Sequence, residues 1–175
     1  MKLRRLTAND EKAFKLAISQ WTHDPGFMFI RGYKRGQPFT DYLNILNDQE
    51  NGKNIPDEWV PDTSLFAFLN DGTIVGRLSL RHQLNDLLLK LGGHIGYGVL
   101  MPYRGKGYAT QMLRSSLGFA KDINLKKVLV TCDDDNPASA AVIVKCGGML
   151  ENIVDQANKA PKRRYWINVY EACGD

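Results

Sequence analysis

A chain of 175 residues, 43% hydrophobic and 24% charged, carries enough apolar side chain to bury a core unaided by disulfides or metal. Its 23 basic and 19 acidic residues leave a net charge of +4, too small an excess to name nucleic acid as a partner, and no apolar run approaches the ~20 residues that span a bilayer. Cys132, Cys146 and Cys173 are odd in number and lack paired short spacing, so they suggest neither a disulfide framework nor a zinc site; with no apolar leader core in "MKLRRLTANDEK", a cytoplasmic protein with reduced thiols is expected.

Lys2 to Leu6 reads as a short first strand, and Asn9 or Asp10 as the cap of a helix carrying Phe14, Leu16, Ala17, Ile18 and Trp21. From Thr22 to Gln37, Pro25, Gly26, Gly32 and Gly36 break any period, while Trp21, Phe27, Phe29 and Tyr33 keep the segment too aromatic for disorder. A loop folded over something is expected. Phe39 to Leu46 follows as a second helix with Tyr42, Leu43 and Leu46 on one side. "SLFAFLNDGTIVGRLSLRH" is two β-rich runs joined at Asn70-Asp71-Gly72, a strong hairpin signal. "LNDLLLKL" supports a helical turn or two, and "GGHIGYGVL" a fourth strand whose glycines permit close approach or a bulge.

Gly105 to Lys121 reads as a helix, with Met112, Leu113, Leu117 and Ala120 at helical spacing. "KKVLVTC" is a continuously apolar strand of the kind buried on both faces. Asn136-Pro137 opens another helix, the Asn capping free amides and the Pro giving up no useful donor, and Gly147-Gly148 ends it. "MLENIVD" and "KRRYWINVY" are two last strands around "QANKAP", the second suited to be an exposed edge for dimer pairing. The order implies an α/β (α+β) chain, one mixed sheet with helices on both sides, in which the crossover through the Gly105 helix forces at least one parallel pairing.

"HIGYGVLMPYRGKGYATQML" runs from strand through glycines into helix, which gathers unpaired amide hydrogens at the positive end of a helix dipole. That is an anion site, with Arg104 and Lys106 adding charge and Gly105 and Gly107 removing side chains from the path of a phosphate. The competing reading is a tight turn with solvated basic residues. A Walker loop fails because Lys106 is followed by Gly107, and a dinucleotide fold fails because this loop follows antiparallel strands.

Arg104-Gly105-Lys106-Gly107-Tyr108-Ala109 resembles the Arg/Gln-x-x-Gly-x-Gly/Ala signature of the GNAT superfamily of acyl-CoA N-acyltransferases. "NPASAAVIVKCGG" is similar to that family's Asn-x-x-Ser-(x)n-Lys-x-Gly segment, and the clear match covers about Gly92 to Leu150. The resemblance implies a three-layer domain with about seven strands and two splayed central parallel strands. It divides residues 1–175 into an N-terminal part with acceptor-side loops (about 1–91), an acetyl-CoA-binding core (about 92–150) and C-terminal strands (about 149–172). Tyr97, Gly98 and Val99 would then pair with the pantetheine arm, amides from Gly105, Gly107, Tyr108, Ala109 and Thr110 would hold the pyrophosphate beside Arg104 and Lys106, and Asn136 would reach the cofactor.

The implied reaction is transfer of acetyl from acetyl-CoA to a primary amine, of a small molecule or a peptide N-terminus, by direct attack on the thioester. The Val99 amide is the expected oxyanion donor. The family's frequent base position falls on Gly93, which cannot serve; His94 is adjacent and is the candidate base, against a structural role, with His82 as a further imidazole. The usual acid tyrosine position is Ile143, which leaves Tyr97, Cys146 or water. Trp21, Phe27, Tyr33 and Tyr42 could stack on an acceptor or fill the core, and "KAPKRR" could attract an acidic ligand or be a solvated hairpin. The alternative is a catalytically silent acyl-CoA-binding or regulatory module; a nucleotide-binding enzyme is a third reading.

Overall fold

Two runs of alternating side chains fold back on each other through Leu69–Thr73, where the Leu69 amide donates to the Thr73 carbonyl at 2.9 Å and the Thr73 amide to the Asp71 carboxylate at 2.9 Å. They form β2 (Asp62–Phe68) and β3 (Ile74–Arg81), in register at Leu65↔Leu78. The computed structural model describes residues 1–21, 27 and 29–172, with the side chains of 171 and 172 excepted; Cys173 and, of the break expected from Thr22 to Gln37, residues 22–26 and 28 lie outside them. The other strands are β1 (Lys2–Arg4), β4 (Ile95–Val99), β5 (Lys127–Asp133), β6 (Met149–Gln156) and β7 (Lys159–Asn168). Together they make one seven-stranded sheet in the order β1-β2-β3-β4-β5-β7-β6.

Helices cover both faces. On one side, α1 (Glu11–Gln20) and α2 (Phe39–Glu50) bury Phe14, Ala17, Phe39 and Tyr42 against Phe66, Phe68 and Ile74. On the other, α3 (Tyr108–Asp122) and α4 (Pro137–Lys145) bury Met112, Leu113, Leu117 and Ile143 against Leu65, Leu78, Ile95 and Val130. A short α5 (Val169–Ala172) follows β7. This is the mixed three-layer architecture that the sequence implies. Among the described residues no helix is long and apolar enough to cross a membrane.

Several local expectations shift. Neither Asn9 nor Asp10 caps α1 by its side chain. A 3₁₀ turn at Ala8–Asp10 precedes the helix, and there the Asp10 carboxylate accepts from the Thr7 amide and hydroxyl at 2.7 and 2.8 Å. Arg4 grips the same carboxylate with two nitrogens, at 2.7 and 2.8 Å, and holds it down to about 2. Gly105 to Gly107 stay outside α3, because Gly105 and Gly107 sit at φ +75° and +81°, a left-handed backbone that opens a turn instead of continuing a helix. "KRRYWINVY" is not an edge: β7 lies between β5 and β6, and the edge strands are β1 and β6.

Candidate active site

β4 and β5 are the parallel pair at the centre of the sheet, and they meet in register only at Ile95↔Val130. Beyond that rung they diverge. On its other side β4 pairs antiparallel with β3, the Leu100 amide donating to Val75 at 2.9 Å and the Arg81 amide to His94 at 2.8 Å. Ladder bonds to β3 therefore fall on even-numbered residues of β4. The amides of Tyr97 and Val99 point the opposite way, into the wedge left by β5.

The wedge opens on the α3–α4 side as a cleft of about 390 Å³. Tyr97, Gly98 and Val99 form its strand wall, Arg104, Gly105, Gly107, Tyr108, Ala109 and Thr110 its turn and helix wall, and Asn136 its far side. Within an α-helix the first amides, here of Tyr108, Ala109 and Thr110, have no intrahelical acceptor. A Cβ built on Gly105 or Gly107 meets nothing within 4 Å, so the turn presents open backbone. Arg104 turns back, its Nε donating to the Val99 carbonyl at 3.0 Å, and Lys106, which does not line the cleft, lays its ammonium 5.5 Å from the centre of the Tyr103 ring.

Asn136 caps α4, its Oδ1 accepting from the Ser139 amide at 3.0 Å. The Tyr97 hydroxyl meets Ser139 Oγ at 2.9 Å. Tyr97, Asn136 and Ser139 also line a second cavity, of about 310 Å³, so they stand where the two spaces join. Burial pushes the Tyr97 phenol up to about 12, which keeps its proton in place at neutral pH.

This second cavity lies over the other face of β4. Gly96 and Gly98 leave a lane there that the aromatic segment covers: a Cβ on Gly98 would come within 2.5 Å of the Phe27 ring and 2.8 Å of Trp21. Trp21 stacks on buried Phe29 at 4.3 Å, while Tyr33 and Tyr42 pack against Phe14 in the core. Of the four aromatic side chains expected to face either substrate or core, Phe27 lines the cavity. Its floor comes from β3, where Arg77, Ser79 and Arg81 project to one side. Ser79 donates to the buried Asp62 carboxylate, whose Oδ1 has no hydrogen-bond partner among the described residues.

The expected proton carriers are placed by packing. His94 is buried; its Nδ1 accepts from the Leu129 amide at 2.9 Å and its ring lies edge-on to Trp166 at 6.2 Å. It lines neither cavity. Burial, with Arg81 nearby, lowers it to about 4 and leaves it neutral. Gly93 sits at φ +65°, and a Cβ there would stand 2.5 Å from the Leu129 carbonyl, so β5 itself excludes a side chain at that position. His82 bonds Thr63 Oγ1 at 2.8 Å, outside both cavities. Ile143 is fully buried, and burial raises the Cys146 thiol. The "KAPKRR" strand is internally paired, Lys162 with Asp133 at 2.6 Å, Arg163 with Asp134 at 2.5 Å and Arg164 with Glu151 at 2.6 Å. Sequence reading missed Arg77, Ser79 and Arg81; the one signal for them is a polar alternation in a strand flanked on both sides.

Residues 1–149 match a family model described as Acetyltransferase (GNAT) domain. Among solved structures, the chain is similar to spermidine N-acetyltransferase from Vibrio cholerae in complex with CoA and spermine, with a TM-score of 0.65 and 14% identity, over 99% of this chain and 98% of that one. A chimeric form of the spermidine N-acetyltransferase SpeG from Vibrio cholerae matches with a TM-score of 0.64 and 16% identity, over 99% of this chain and 100% of that one. At these identities the likeness is one of fold. A search of curated proteins found no match.

Proposed function

The chain belongs to the GNAT acetyltransferase family, and from that premise we propose that the β4 edge and the Gly105–Gly107 turn hold acetyl-CoA while the adjoining cavity presents a primary amine to it. Acetyl-CoA is the donor of this acetyltransferase. Bound, it supplies an acetyl group activated as a thioester, open to direct attack by a neutral amine. The observation that carries the site assignment is the outward pair of β4 amides running into a glycine turn with open space at the head of α3.

The residues divide the work by position. The β4 backbone at Tyr97, Gly98 and Val99 lies along an extended pantetheine arm, with the unpaired Tyr97 amide donating to it, which is recognition by strand addition. Gly105, Gly107, Tyr108, Ala109 and Thr110 offer amides to the pyrophosphate, Asn136 faces the same cleft, and Arg104 and Lys106 add charge at its rim. The Val99 amide donates to the carbonyl oxygen on which negative charge develops. Tyr97, protonated and at the junction of the two cavities, gives its proton to the departing sulfur. His94, held by Leu129, positions β4 and does not act as the base; Ser79, bonded to Asp62, is placed at the cavity wall to pass the ammonium proton inward.

Residues 1–175 act as one unit in this reading, because both cavities share β4. β6, with exposed Met149, Leu150 and Ile153, is the edge that a homodimer would pair, and sedimentation equilibrium showing only monomer at micromolar concentration removes that assignment. Acetyl-CoA use and reduced, buried Cys132 and Cys146 fit a cytoplasmic setting. Calorimetric titration tests the donor site: acetyl-CoA is expected to bind and ATP and NAD are not. Thiol release on adding amines separates the enzyme from a silent acyl-CoA-binding module, which binds without turnover.

A further inference from the structure

The acceptor-side cavity is built for negative charge. Among the described residues that line it, Arg31, Arg77, Arg81 and Lys162 are basic and Asp133 alone is acidic, and Asp133 is already paired to Lys162 at 2.6 Å. Arg77 is 2% exposed and donates to Ser64 Oγ at 2.8 Å. Arg81 is fixed through Nη1 to two main-chain carbonyls, Gly92 at 3.1 Å and Gly93 at 2.8 Å, which orient the guanidinium without neutralising it. Its Nη2 faces the glycine lane, 3.9 Å from the point where a Gly96 Cβ would stand. Arg31 lies over the Trp59 ring at 4.5 Å, with Asp62 3.8 Å away behind the wall.

A buried guanidinium braced by carbonyls keeps its charge and points a planar pair of donors at whatever enters. Polyamines fit this space badly, since each further ammonium would meet cations at low dielectric with no unpaired carboxylate lining the cavity among the described residues. The volume, about 310 Å³, suits a small molecule. Resting on the reading of this site as an amine acetyltransferase, we propose that the acceptor carries an anionic group, a carboxylate or a phosphate, beside its amine, and that Arg81, supported by Arg31 and Arg77, receives that group.

Matched acceptors test this on the unmodified chain. With acetyl-CoA saturating, thiol release is measured for phenylalanine against phenethylamine, lysine against cadaverine, and phosphoethanolamine against ethanolamine, with spermidine alongside. The anionic member of at least one pair is expected to show a kcat/KM ten-fold or more above its partner and above spermidine, and which pair responds tells carboxylate from phosphate. Arg81→Gln is expected to erase that preference mainly through KM while the acetyl-CoA Kd stays within two-fold. Arg81→Lys, which keeps the charge, is expected to retain part of it. Equal or better turnover of the uncharged partners or of spermidine overturns the anionic acceptor and leaves the acetyltransferase reading standing. Turnover with none of these amines, despite acetyl-CoA binding, overturns both.

Discussion

At the scale of single residues, His94 and Tyr97 sit three positions apart on one stretch of chain and do opposite things with a proton. His94 is lowered from its ordinary 6.5 to about 4 by burial, with Arg81 adding to it. Above pH 6.5 both folded and unfolded chains hold it neutral. Below that the unfolded chain takes up a proton that the native chain refuses, so stability falls progressively towards pH 4, by about 3 kcal/mol in all. His94→Asn keeps an acceptor for the Leu129 amide and cannot titrate, so its melting temperature should fall less steeply between pH 6.5 and 4 than that of the parent, while the pH profile of kcat/KM is unchanged. His94→Ala, which orphans that amide, is expected to cost about 1–3 kcal/mol at neutral pH. Tyr97→Phe keeps the ring and loses the donor: kcat is expected to fall about 100-fold with the acetyl-CoA Kd barely moved, and an unchanged kcat would free Tyr97 of the acid role.

At the scale of elements, glycines in or beside one helix have different duties. Gly107, at φ +81°, precedes α3 with its amides open, whereas Gly118 lies exposed within α3 and a Cβ there meets nothing within 4 Å. Gly107→Glu sets a carboxylate against bound phosphate and strains the turn; calorimetry should show acetyl-CoA affinity down at least 100-fold. Gly118→Ala should raise stability by about 0.5–1 kcal/mol without touching affinity, through backbone entropy alone. The same contrast explains what can be read from sequence. The Asn70-Asp71-Gly72 hairpin, the Asn136 cap and the glycine turn are legible because their chemistry is local. The floor of the second cavity is not, because Arg77, Ser79 and Arg81 alternating with Leu78 and Leu80 is also how a solvent-facing strand is written. Only the flanking strands β2 and β4, with the aromatic cover across them, turn that face inward. Gly93 is a blank in the motif for a similar reason: the Leu129 carbonyl that forbids its side chain comes from a distant segment.

At the scale of the molecule, the order β5-β7-β6 places β7, the second strand of the last hairpin, inside the sheet, with Tyr165, Ile167 and Val169 in the core. Pairing at that distance leaves no local mark, which is why β7 reads as an edge in the sequence and is not one. The single rung Ile95↔Val130 has the widest consequence. In the binding mode proposed above, the donor completes a sheet left unzipped at its middle, and acetyl-CoA would act as a removable eighth strand. Amide exchange at Tyr97 and Val99 is expected to slow when acetyl-CoA is added, with little change at the β2–β3 hairpin. At a donor concentration one hundred times Kd the native state should gain about 2.7 kcal/mol. The lifetime of this protein in a cell would then track the acetyl-CoA around it, scarcity loosening the fold before it slows the chemistry.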